Sequence, residues 1–396
     1  MTEMFGSKRM KLLYIYIFFV YINSLFPWFT WGIDSLYISA VYVLISVYFI
    51  VTLKKCYNFK AIEGRRLFLL YLLLVLWINR HSLMSIFVAM GTCVTFASIV
   101  FIRNEYKYKI LETITKYMAC LLSISLCFYV IRLLGFSLPF EIIQKDDLYG
   151  QELNYYFFLL DGDGEIFRFK GPFLEPGYLT LGVAPLLFLN KYNIKNIYVL
   201  LLLVVQLFSF SLAGYICLIL GVVLRLLLLK KTVLTKIRLF ISLVILMIIM
   251  LSTAKIVVGE DVFNTLILER LEWNKDTGTI AGNNRYTPYF EQRYKQFLKS
   301  EDLLVGSGWD YSLSQESGNS GYKVFLFNQG LIGLVLSIFM YTSTIIRNHD
   351  RKNILFVIFL MILMYQNAYP TMWALLICYV YGSQSLLEEN FKRIKQ

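Results

Sequence analysis

An all-α, polytopic membrane bundle of about twelve spanning helices with two larger extracytoplasmic loops is the fold the sequence predicts, and three observations predict it. Hydrophobic residues make up 58% of the chain and the mean hydropathy is +0.61, above the ~45–50% apolar content of soluble domains. Apolar runs of the ~20 residues needed to cross a ~30 Å hydrocarbon core recur from Leu12 to Leu387. Lysines and arginines gather in alternate connections between those runs, the asymmetry that retains basic loops in the cytoplasm.

In chain order the expected spans are 12–30, 34–53, 66–79, 82–102, 116–138, 174–190, 194–212, 213–229, 237–257, 322–346, 353–369 and 371–387. The N-terminus lacks a short apolar core followed by small residues at a cleavage site, so the first run is expected to stay as an anchor. The connections that alternate inward carry Lys54, Lys55, Lys60, Arg65 and Arg66, then Arg103, Lys107, Lys109 and Lys116, then Lys191 and Lys195, then Lys230, Lys231, Lys236 and Arg238, then Arg347, Arg351 and Lys352, and with the terminal segments they hold 24 of the 38 cations. Both termini are then cytoplasmic. The net charge of +12 is accounted for by topology and by attraction to anionic lipid headgroups, with no nucleic-acid partner.

Six cysteines fall within spans or in an inner connection, where oxidation would not pair them, so no disulfide framework is expected. His81 and His349 land on opposite sides of the bilayer, and no CxxC or HExxH spacing offers a metal site. Zinc chemistry and a histidine-based mechanism are therefore set aside. The glycines at 306, 308, 330 and 333 match neither a P-loop nor a strand-to-helix GxGxxG, which argues against nucleotide use. No cofactor is expected.

The two long connections, 139–173 and 258–321, both fall outside, and function is sought there. With no internal repeat or low-complexity linker, 1–396 reads as a single transmembrane domain. The first loop is acidic but ends in Arg168 and Lys170, followed by Glu175 at a predicted helix start. In the second, Thr287 suits a helix cap and Pro288 the first helical position, and Tyr289, Phe290, Tyr294 and Phe297 recur at helical spacing. An amphipathic helix over about 288–299 lying on the membrane surface is expected, with Arg293 on its aromatic face and Arg285 just before its start, where free backbone N–H groups favour an anion.

These elements resemble the Wzy-type O-antigen and capsular polysaccharide polymerases and their relatives, the O-antigen ligases. The likeness in architecture covers nearly the whole chain, and four elements in order carry it: "FRFKGPFLEPGYLTLG" (167–182), "NNRYTPYF" (283–290), "VGSGW" (305–309) and "FNQGLIGL" (327–334). Where family ligases carry a His-Asn pair this chain reads Asn319-Ser320, which favours polymerase over ligase activity. Where many relatives have a Ser-Arg step, "FSFSLAGY" places Leu212, which weakens a carry-over to Ser209 or Ser211.

The resemblance implies a metal-independent glycosyltransferase of the bacterial cytoplasmic membrane. It would move a growing glycan from a polyprenyl diphosphate carrier onto a sugar hydroxyl of another lipid-linked unit, beside a chain-length regulator and a flippase of the same pathway. Such a leaving group needs fixed cations, and arginine meets phosphate bidentately without losing its charge. Arg168 and Arg285 are expected to hold the diphosphate with help from Lys170 and Arg293, and Glu175 to accept the hydroxyl proton, Asp310 and Glu316 being the fallback bases. Tyr286, Tyr289 and Trp309 are candidates to stack on sugar rings. The plainer readings are headgroup anchoring for the arginines, snorkelling for Arg293 and simple helix capping for Glu175. A flippase of lipid-linked oligosaccharide is the rival from another class, and it would show paired, interrupted helices or charges deep within spans.

Overall fold

The computed structural model describes the chain except for residues 1, 146–149, 163–167, most of 229–286, 309–320, 348–349, 367–369 and 395–396. The helices are α1 (Thr2–Asn23), α2 (Ser35–Thr52), α3 (Ile62–Ile78), α4 (Leu83–Val100) and α5 (Asn104–Leu133), then α6 (Pro176–Leu189), α7 (Ile197–Phe208) and α8 (Leu212–Leu228), and finally α9 (Pro288–Phe297), α10 (Tyr322–Arg347), α11 (Arg351–Gln366) and α12 (Trp373–Ile394). Between α5 and α6 lie three short strands, β1 (Glu141–Ile143), β2 (Glu152–Asn154) and β3 (Leu159–Asp161), and between α8 and α9 a two-stranded pair, β4 (Trp273–Asn274) and β5 (Thr279–Ile280).

The protein is thus mainly helical, as expected, and the small sheets are an addition that the helical reading of the sequence did not contain. Four of its described helices, α2, α4, α5 and α10, are long and apolar enough to cross a bilayer, while α6, α7, α8 and the start of α12 are apolar but shorter. The stretch expected as the span 237–257 lies largely outside the described residues. Of the two long loops, 139–173 is described in most of its length and 258–321 only in part.

The chain divides into two compact units, one of Met1–Ser24, Gly32–Ile114 and Arg285–Gln396, the other of Leu25–Trp31 and Thr115–Asn284. In the first unit α2 leans on α4 and α3 on both α4 and α10. Tyr71 of α3 stacks on Phe96 of α4 with centroids 4.0 Å apart, and the Tyr16, Ser46 and Ser98 hydroxyls form a buried chain of hydrogen bonds joining α1, α2 and α4. The outward side of α2 exposes Tyr37, Val41, Leu44, Tyr48 and Val51 at helical spacing, and α4 exposes Leu83, Phe87 and Met90. A continuous stripe of this kind would be costly against water and is neutral against lipid chains.

α10 is interrupted. Gly330 has φ 65 and ψ −176, so the helical ladder opens there. The carbonyls and amides freed at the break are taken up by the segment before α10: the Ser307 amide donates to the Phe327 carbonyl at 2.8 Å, the Gly308 amide to the Asn328 carbonyl at 3.2 Å, and the Ile332 amide to the Leu304 carbonyl at 3.2 Å. This close backbone approach requires glycine on both sides, since a Cβ on Gly306 or on Gly330 would fall 2.4 Å from a carbonyl oxygen of the other strand.

The second unit is built around α6, in which every residue from Leu179 to Leu189 is buried, the pattern of a helix that is apolar on all sides and surrounded by protein. α6 packs on α7 and α8. Gly182 lies so near Leu25 that a Cβ would come within 2.5 Å of its side chain. The α7–α8 connection is only three residues, Ser209, Phe210 and Ser211, all buried, with Phe210 at φ 44. The Ser211 hydroxyl accepts from the Gly214 amide and so caps α8, and the Ser209 hydroxyl donates to the Gln206 carbonyl at 2.7 Å, closing the last turn of α7.

Candidate functional site

The segment from Arg168 to Glu175 is held on several sides within the second unit. Its backbone closes one turn, the Phe173 amide donating to the Lys170 carbonyl at 3.3 Å, and its other polar groups find partners elsewhere. The Phe169 amide donates to the Phe208 carbonyl at the end of α7 at 3.2 Å, and the Gly171 carbonyl accepts from the Leu159 amide of β3 at 2.9 Å. The Pro172 carbonyl accepts from the Trp28 amide at 2.9 Å, and the Leu174 amide donates to the Phe26 carbonyl at 3.2 Å. Phe169 and Phe173 are fully buried, and Phe169 meets the edge of Tyr129 at 5.2 Å. Gly171 has φ 59, and a Cβ there would lie 2.8 Å from Leu122, so both conformation and space demand glycine.

Arg168 stands at the start of this hydrogen-bonded segment. It is half-buried, and its Nε is shielded from solvent without a hydrogen-bond partner. Glu175 stands at the other end, exposed, in extended backbone as the N-cap of α6, and its carboxylate makes no capping hydrogen bond with the helix amides; Pro176 fills the first helical position. Between α6 and α7, the fully buried Gln206 donates from Nε2 to the Thr180 hydroxyl at 3.0 Å, while its Oε1 has no partner.

Lys170 is placed otherwise than a ligand for substrate phosphate would be. Only 2% exposed, it donates from Nζ to both carboxylate oxygens of Glu152, at 2.7 and 2.6 Å, and to Asp161 Oδ1 at 2.7 Å. Glu152 and Asp161 are register partners on β2 and β3. All three ammonium protons are thus committed inside the protein. Burial pushes the Glu152 carboxyl up to about 7 against the lowering pull of Lys170, and the charges of Asp161 and Glu175 add to the rise.

In the first unit, α9 begins where the sequence places it, with the Thr287 hydroxyl accepting from the Phe290 amide and Pro288 in the first turn, and ends at Phe297. Its apolar face is covered by protein instead of by the membrane surface: Phe290, Tyr294 and Phe297 pack with Val324, Phe325, Leu326 and Phe327 at the start of α10. Lys323 pairs with Glu291 across the same contact. Arg293, expected on the aromatic face, is exposed, and it donates to the Tyr289 hydroxyl at 3.1 Å with its guanidinium 5.8 Å from that ring. Tyr289 is exposed too. Spacing of four from an aromatic holds for both faces of a helix, and tertiary packing chose the 290–294–297 stripe. Arg285, Tyr286, Trp309, Asp310 and Glu316 lie outside the described residues.

Two polar residues that the sequence reading passed over sit beside the α10 break. Arg80, between α3 and α4, lies over the Trp77 ring at 4.4 Å and donates to the Trp77 carbonyl at 2.7 Å, to Gln329 Oε1 at 2.9 Å and to the Val305 carbonyl. Burial lowers its pKa from the ordinary arginine value. His81 packs against Gly308, where a Cβ would come 3.3 Å from the ring, and burial together with the Arg80 charge lowers its pKa, leaving it neutral at pH 7. A lone Arg-His pair in a four-residue connection gives no sequence signal of such contacts, because all their partners but Trp77 are more than two hundred residues away.

Chemically, the second unit offers a fixed cation and an exposed carboxylate at the two ends of one rigid segment, and no group of three or more potential metal ligands occurs among the described residues. The chain matches no family model, no curated protein and no solved structure in these comparisons.

Proposed function

We propose that the chain polymerises polyprenyl-diphosphate-linked oligosaccharide repeat units at the outer face of the bacterial cytoplasmic membrane. In this reading it spans the membrane about twelve times with both termini inside, as the charge distribution suggests. The observation that supports the reading most is the presentation of Arg168 on a segment fixed by hydrogen bonds at Phe169, Gly171, Pro172 and Leu174, with its Nε unpartnered. A cation held in place before the ligand arrives costs little reorganisation when charge develops on the leaving diphosphate.

The acceptor sugar's hydroxyl oxygen attacks the anomeric carbon that carries the diphosphate. The bond from that carbon to the diphosphate oxygen breaks, its electron pair stays on the leaving group beside Arg168, and the hydroxyl proton passes to Glu175. Lys170 is left out of substrate binding because its protons are already taken, and Arg293 with Tyr289 remains available at the exposed side of α9. The polyprenyl tail needs only apolar surface, which the exposed stripes of α2 and α4 exemplify.

Transport is the second reading, favoured by the interruption of α10 at Gly330. Among the described residues, α10 alone carries non-helical backbone inside a helix, whereas the transporter pattern pairs such breaks. Deletion of the gene in its host, followed by gel analysis of surface glycan, separates the readings. Polymerase predicts loss of the long ladder with single repeat units still attached; loss of all glycan on its acceptor points to a ligase, and units trapped on the inner leaflet point to a flippase. In the complemented strain Arg168→Lys is expected to lose the ladder, because lysine keeps the charge but not the bidentate fork.

A further inference from the structure

We infer that Lys170, Glu152 and Asp161 are positioning residues: their ion triad, built on the buried Lys170–Glu152 pair, locks the segment that carries Arg168 onto the small outer sheet and so sets where the diphosphate is gripped. The inference rests on the polymerase reading and deepens it by assigning the sheet a purpose in that reaction.

Glu152 and Asp161 stand directly across β2 and β3, a pairing of like charges that disfavours the strand register unless a cation lies between them. Lys170 supplies it. Its three protons meet three carboxylate oxygens at 2.6–2.7 Å, so the ammonium fits its cage in direction as well as in charge. Lys170 comes two residues after Arg168 and one before Gly171, whose carbonyl is bonded to β3. One end of the arginine's segment is therefore tied to β3 by backbone and to both β2 and β3 by charge, while Phe169 ties it to α7. A buried pair of this type is poor evidence for stability, since its Coulomb energy is largely offset by desolvation, but it fixes one arrangement over others.

Among the described residues, the charged groups facing Glu152 are Lys170, Asp161 and Glu175. With one cation against the triad's two carboxylates, burial raises the Glu152 carboxyl from about 4.5 to about 7. A carboxyl whose folded value lies above its unfolded one binds more protons in the folded state, so its contribution to stability is complete below about 4.5 and lost as pH rises through about 7. The grip on the Arg168 segment should accordingly loosen between pH 6 and pH 8.

The test uses the full-length protein in membranes of a host strain lacking the gene, supplied with lipid-linked repeat units extracted from that strain, with ladder formation followed from pH 6 to pH 8. Wild type should show a donor KM that rises several-fold across this window while kcat changes less. Glu152→Gln, isosteric and unable to ionise, should flatten that dependence, and Lys170→Met should raise KM at least ten-fold at every pH. Membrane abundance and thermal midpoint are measured for each variant, and if Lys170→Met fails to accumulate, the Glu152→Gln profile decides. An Arg168→Ala variant that makes no ladder, combined with wild-type kinetics in Lys170→Met or an unaltered pH profile in Glu152→Gln, would overturn the positioning role and leave the polymerase reading standing. If Arg168→Ala makes a normal ladder, both fall.

Discussion

Arginine and glutamate on one rigid segment behave differently from the same residues on a mobile loop. Held between β3, α7 and the 26–28 turn, residues 169–174 fix the two ends where Arg168 and Glu175 sit. Glu175 is exposed and makes no capping bond to α6. Glu175→Gln is expected to leave the thermal midpoint within experimental scatter while lowering polymer formation by about 100-fold or more, the scale of a lost general base. Near-normal ladders from that variant would move the base elsewhere. The identity of these two residues as candidates was legible from the sequence, because a Pro- and Gly-rich segment carrying charge at the edge of an apolar run has few structural uses. The commitment of Lys170 was not legible, since its partners lie nine and eighteen residues away on strands too short to leave a pattern.

At the level of elements, short-range chemistry and long-range packing divide the work. Thr287 and Pro288 set the start of α9 by local capping alone, and the sequence reading places it correctly. Its burial against α10 depends on residues 27 to 37 positions away. The break in α10 shows the same division: glycine at 330 permits a left-handed residue, but the reason for it is the backbone of residues 304–308 lying against the opened turn. Gly330→Ala should therefore cost more than Gly32→Ala. Both positions have positive φ, at +65 and +75, but only at 330 would the added Cβ meet a carbonyl oxygen, at 2.4 Å, whereas at 32 nothing lies within 4 Å. Gly32→Ala is expected to lose on the order of 1 kcal/mol from backbone strain alone. Thermal midpoints in detergent compare the two, and equal midpoints would mean that the contact at 330 is not tight.

On the scale of the whole molecule, the distribution of cations makes the clearest prediction. Reporter fusions that distinguish cytoplasm from exterior should report the cytoplasm at 191–195 and at 351–352, and the exterior at 141–161. An exterior reading at 191–195 would invert the assignment of the sheet-bearing loop and remove the site from the side where lipid-linked units are polymerised. Sequence by itself determined that the chain is apolar, helical and punctuated by basic connections, because hydropathy and charge are sums over local composition and survive any detail of packing. It also determined which short stretches carry unusual chemistry. Only the tertiary structure decided the two compact units, the covering of α9 by α10 and the small three-stranded sheet, and only it withdrew Lys170 into a cage of carboxylates. These outcomes turn on contacts between residues far apart in the chain, whose energies depend on geometry that a linear pattern does not contain.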